Sequence, residues 1–130
     1  MPRVHDIIIE KGYSNGRLVL SDRGHTPAAK SDFIVWSVKP GIEVTSIEGF
    51  QIKPGFPDIF VRPPANNGSA WTAQINPNTL DYTVCEYSIH WNGRFGRKTF
   101  DPKISVRPRK FNFRKWFFDF FFSFFGKKKE

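Results

Sequence analysis

Nine of the chain's fifteen phenylalanines fall in one short stretch near its C-terminus, between Phe111 and Phe125. No other feature restricts the chain as much, because burying a single phenylalanine is worth roughly 1.5 to 3 kcal/mol and so many rings demand a cover. The same stretch is basic. Residues 107 to 130 carry 8 Lys and Arg against 2 Asp and Glu, net +6, whereas residues 1 to 106 carry 12 against 10, net +2. The break near Arg107 and Pro108 therefore divides the 130 residues into a body, 1–107, and an appended segment, 108–130.

The body is long enough for one packed core. With one cysteine, Cys85, no intrachain disulfide can form, and no spacing of Cys, His, Asp and Glu suggests a metal cluster or any other cofactor. The first ten residues lack the basic start and apolar run of a secretory leader. The expected setting is reduced and cytoplasmic.

Short runs rich in Val, Ile, Thr and aromatics recur every 8 to 12 residues or so between Gly, Pro, Asn and Asp, which predicts an all-β antiparallel sandwich. The predicted strands are 4–10, 17–21, 32–39, 43–48, 58–62, 70–75, 83–91, 97–100 and 103–107. Asn15-Gly16 and Asn92-Gly93 supply the expected hairpin turns, since both residue types tolerate positive φ. Alternation places Ile34, Trp36 and Val38 on one core stripe and Cys85, Tyr87, Ile89 and Trp91 on another, with Glu86, Ser88 and His90 facing away.

The runs Asp32-Phe-Ile-Val-Trp-Ser-Val38, Tyr87-Ser-Ile89 and Asp101-Pro-Lys-Ile-Ser-Val106 together resemble the strand order of cupredoxin-like sandwiches over most of the body. In that family the tyrosine-flanked strand ends at a copper-ligand cysteine, with a histidine and a methionine soon after. Here Ile89 stands at the cysteine position, Trp91-Asn-Gly-Arg94 follows, and the one methionine is Met1, so the resemblance implies the fold without copper. An immunoglobulin-like sandwich fits the same pattern.

Few residues invite chemistry. Cys85 and His90 are five apart on one strand and so point to opposite faces. His5-Asp6 and His25 have no identifiable third partner and are expected on the surface. No glycine spacing forms a phosphate loop, and an enzyme is the least favoured class. Trp71 and Trp91 with Arg94, Arg97 and Lys98 offer a stacking and cationic surface for single-stranded nucleic acid, or else a packed core beside a solvated hairpin. Phe50, Phe56 and Phe60 lie in a long proline-rich loop, 49–67, which reads as a partner-binding edge or as a stiff crossover.

In the tail, Lys115, Asp119, Ser123 and Lys127 recur every four positions, one narrow polar stripe of an amphipathic helix. Trp116, Phe117, Phe118, Phe120, Phe121, Phe122, Phe124 and Phe125 fill the remaining face, and Arg114 and Lys115 before and Lys127, Lys128 and Lys129 after frame it with cations. Cations near an anionic leaflet contribute about 1 kcal/mol each. A helix of about 16 residues reaches about 24 Å against a hydrocarbon core of about 30 Å, too short for an ordinary span. The expectation is a non-catalytic recognition or scaffolding sandwich, oligomeric or bound to a protein partner, attached peripherally to anionic membrane lipid. Two rivals remain: a membrane-disrupting effector whose body oligomerises and inserts short tails, and a nucleic-acid-binding module.

Overall fold

The computed structural model describes residues 1–108. The predicted C-terminal helix lies outside the described residues. The body is all-β, with ten strands: β1 (Val4–Gly12), β2 (Leu18–Leu20), β3 (His25–Ala28), β4 (Phe33–Val38), β5 (Val44–Ile52), β6 (Ala65–Asn66), β7 (Trp71–Gln74), β8 (Val84–Gly93), β9 (Gly96–Phe100) and β10 (Lys103–Val106). They form two sheets, ordered β2-β1-β4-β7-β6 and β3-β10-β8-β5, with β9 also paired to β8. β9 and β10 run along the same edge of β8, one after the other. Between them the Tyr87 amide bonds the Pro102 carbonyl, so the ladder continues across the break.

The sheets are mixed, which corrects the expected antiparallel arrangement. β1 pairs parallel with β4 from Val4 and Phe33 to Ile9 and Val38, and β3 pairs parallel with β10. Parallel neighbours need a crossover, and here the chain between β1 and β4 supplies it by placing β2 in the first sheet and β3 in the second.

The alternation held where it was clearest. Ile34 and Trp36 in β4 and Cys85, Tyr87, Ile89 and Trp91 in β8 are all fully buried, and they join Ile7, Ile9, Ile104 and Val106 in one core. Three local expectations failed. Residues 58–62 form no strand beyond a single bridge from Phe60 to Ile75, because the Phe60 amide bonds the Asp58 carboxylate and prolines flank the segment on both sides. β3 is absent from the predicted strands because Gly24 and Pro27 interrupt its pattern. It is an edge strand with Pro27 exposed, so the missing N–H costs no ladder bond. The second hairpin turns at Arg94 and Phe95, not at Asn92-Gly93, since Gly93 pairs with Gly96 and it is Gly96 that has the positive φ, +81°. The first hairpin does turn through Asn15-Gly16, with Gly16 at φ +97°.

Strand directions give the body two ends. At one, here the exit end, lie the starts of β1, β4 and β8 and the ends of β3, β7 and β10, with Pro108 just beyond. At the distal end lie the β1–β2 turn, the β4–β5 connection and the β8–β9 hairpin. The exit end is closed by Asp32, 1% exposed, which accepts from the Arg3 and Ala29 amides at 2.9 Å each and meets His5 Nε2 at 2.8 Å.

Candidate functional site

The sequence offered two surfaces within the body, and the structure treats them differently. Phe50 and Phe60 are packing residues. Phe60 is buried, and the half-buried Phe50 ring sits 4.4 Å from Trp36 and 5.3 Å from Trp71, centroid to centroid. Residues 49–52 belong to β5, so the expected loop begins only at Lys53. Phe56 is half-buried in what remains of it. Between β5 and residues 58–64 a cavity of about 160 Å³ opens beside Phe50, Ile52, Phe60 and Tyr87. That is below the few hundred Å³ of an ordinary small-molecule site.

The basic hairpin is the better surface. Arg94 and Arg97 are exposed and Lys98 is half-buried. The fold adds partners that the sequence reading missed. The Trp91 indole N–H donates to the Gly16 carbonyl at 3.0 Å, drawing the β1–β2 turn against the hairpin strands, and a Cβ at Gly16 would lie 2.9 Å from the Thr99 carbonyl and 3.7 Å from Lys98 Cβ. That turn carries Tyr13, with Lys11 Nζ 5.1 Å and the Arg17 guanidinium 4.9 Å from its ring centre, a cation–π geometry. Glu43 joins the third segment: its Oε1 accepts from the Gly12 amide at 3.0 Å and its carbonyl from the Arg94 amide at 2.8 Å. The Gly12 amide first, and then nearby Lys11 and Arg94, hold the Glu43 carboxyl below its usual range. Five cations, Lys11, Arg17, Arg94, Arg97 and Lys98, thus meet at the distal end across more than eighty residues of sequence. The local signal for the missed ones was Lys11-x-Tyr13 and Arg17 flanking the Asn15-Gly16 turn.

The two tryptophans do not supply the stacking half of a nucleic-acid surface there, since Trp91 is fully buried and Trp71, on β7 of the other sheet, packs on Phe50. Beside the hairpin, Glu48, His90, Arg97, Lys98 and Thr99 line a depression of about 400 Å³. Its imidazole is held by Thr99 Oγ1 at 2.9 Å from Nδ1 and Gln51 Oε1 at 3.4 Å from Nε2.

The remaining chemical candidates are packed or paired within the fold. Cys85 is sealed in the core, and burial, with Asp58 adding to it, pushes its thiol up to about 11. His90 leaves the opposite face of the same strand, so the two do not meet and do not fit a copper centre. His5 and His25, expected on the surface, are half-buried: His5 on Asp32, and His25 with Nε2 2.6 Å from Ser105 Oγ. A Ser–His pair performs acyl transfer only if substrate reaches the hydroxyl, and Ser105 is 4% exposed. The tail positions from Arg114 to Lys129 lie outside the described residues. The chain matches no protein-family model and no curated protein.

Proposed function

We propose that this chain is a non-catalytic recognition and scaffolding module whose β body is held at an anionic membrane surface by the Phe-rich basic segment that follows Pro108, and that it acts as an assembly with itself or a protein partner. The observation that carries this is the tail's composition: nine phenylalanines between residues 111 and 125, with three lysines directly after Gly126 and five basic residues between Arg107 and Lys115. Apolar area of that size needs a non-aqueous cover, and cations on both sides select an anionic interface. The body supports the reading because its described residues build a core joining both sheets from Ile7 to Val106.

Within the sandwich class, the cupredoxin-like plan without copper is the finer assignment. Two parallel pairings, β1 with β4 and β3 with β10, depart from the antiparallel sheets of an immunoglobulin constant-type domain. The reading places the chain in the cytoplasm, peripheral to the membrane.

Co-sedimentation with anionic vesicles tests the attachment. The full chain is expected to pellet and a chain ending at Pro108 to stay in solution, with circular dichroism confirming that both are folded. Equal pelleting would remove the anchor. Release of trapped dye from the same vesicles would replace the scaffold with the membrane-disrupting effector.

One observation favours a second reading. The five cations gathered at the distal end suit a polyanion, single-stranded nucleic acid included. A salt-dependent shift of single-stranded oligonucleotides by the chain ending at Pro108 is the measurement that would promote it.

A further inference from the structure

We infer that the exit end of the body is itself a membrane-contact face, laid against an anionic bilayer so that the basic distal end points away from it; this rests on the membrane reading above. Large exposed apolar side chains among the described residues are concentrated at this end. Val4 and Phe33 open the adjacent strands β1 and β4, Val61 bonds through its amide to the Gln74 carbonyl opposite Phe33, and Val84 opens β8. Leu80 and Tyr82, 78% and 70% exposed, lie in the connection that brings the chain to β8. Ile8, midway along β1, is the exception.

Tyr82 is tied directly to the strand from which the tail departs, and Leu80 one step further, its carbonyl accepting from the Thr83 amide at 3.3 Å. The Tyr82 amide donates to the Val106 carbonyl at 2.6 Å, and the Val106 amide donates to the Thr83 carbonyl at 2.8 Å, two residues before Pro108. Tyr82 is held at φ +70°. A non-glycine residue in that region carries a cost of order 1 kcal/mol, and such costs persist only where the surroundings impose them. The result is a ring presented to the outside beside the root of the greasiest segment in the chain. Exposed tyrosine and leucine, with Arg3 and Arg107 exposed at the same end, match the chemistry of an interface, where an amphipathic ring sits at headgroup depth and cations meet lipid phosphate.

Orientation follows from the ladder. β8 runs from Val84 at the exit end to Gly93 at the distal end, a length of about 30 Å at ~3.3 Å per residue. Arg94, Arg97 and Lys98 therefore stand well beyond the Debye length of about 8 Å from a surface that touches Leu80, and the bilayer's charge does not reach them. They remain available to a second partner.

The full-length chain tests this. A polarity-sensitive fluorophore is attached at Leu80→Cys or at Arg94→Cys, the native Cys85 being sealed in the core, and vesicles of mixed phosphatidylglycerol and phosphatidylcholine are added. Emission is expected to shift to the blue from position 80 and to stay unchanged from position 94. In parallel, Leu80→Ser combined with Tyr82→Asn, which tolerates the positive φ, is expected to weaken vesicle partitioning about ten-fold or more at unchanged thermal stability. A silent position 80, a responding position 94, or undiminished partitioning of the double variant, while the parent chain still pellets, overturns the face and leaves the tail anchor standing. Failure of the parent chain to pellet removes both.

Discussion

The Trp36 indole N–H donates to the Tyr87 hydroxyl across 3.0 Å in the middle of the core, joining β4 of one sheet to β8 of the other. Both residues are fully buried, their rings meet edge-on, and Phe50 packs on both. It is one of the polar contacts that seat the two sheets on each other, and it matters because a buried indole N–H without a partner is costly.

Tyr87→Phe keeps the ring and strips the indole of its acceptor. The expected loss is about 1 to 3 kcal/mol, the cost of an unsatisfied buried donor, read as a lower denaturant midpoint with unchanged slope. A midpoint equal to the parent's would show that the bond contributes nothing.

Burial also sets the alkaline limit of the fold. The Cys85 thiol is raised from 9.0 to about 11, and burial likewise pushes the Tyr87 hydroxyl far above its ordinary 10.0, with the Trp36 bond acting in the other direction. Both folded values lie above the unfolded ones, so the neutral groups stabilise the fold fully below the unfolded pKa, and this stabilisation is lost as pH rises. Stability is expected to fall from pH 9 towards about 11 through Cys85, and further from pH 10 upward through Tyr87. In Cys85→Ala the first decline should flatten, and the thiol of the parent should resist a disulfide reagent at pH 8 until the chain unfolds.

Gly93 is required by a neighbour, not by its φ. A Cβ there would lie 2.0 Å from the Glu43 carbonyl, which is backbone and has no flexible end to withdraw. Gly93→Ala is expected to cost about 3 kcal/mol or more by forcing β5 away from β8. Gly49→Ala, with open space around its Cβ, should change the thermal midpoint little. Equal effects would contradict the close approach.

Replacing Arg94, Arg97 and Lys98 together by serine should leave vesicle pelleting of the full chain unchanged within two-fold while abolishing any salt-dependent oligonucleotide shift. Arg94 and Arg97 are exposed and Lys98 half-buried, and such cations act mainly through charge, so stability should move by less than about 1 kcal/mol. Loss of pelleting in this variant would place the basic hairpin at the bilayer instead of opposite it.

What the sequence determined by itself was everything written at a period of two. Ile34 and Trp36, and Cys85, Tyr87, Ile89 and Trp91, announced the core faces because each residue's side depends only on its strand's pleat. The Asn15-Gly16 turn and the composition break at Arg107 were equally local. The tertiary structure alone decided which strands are neighbours. It paired β1 with β4 and β3 with β10 in parallel, drew Phe50 and Phe60 from an expected loop into the aromatic core, brought Lys11, Tyr13 and Arg17 to Lys98, and set Tyr82 beside Val106. Pairing order follows from the summed fit of many contacts between residues far apart in the chain, each worth a fraction of a kcal/mol, and no short motif carries that sum.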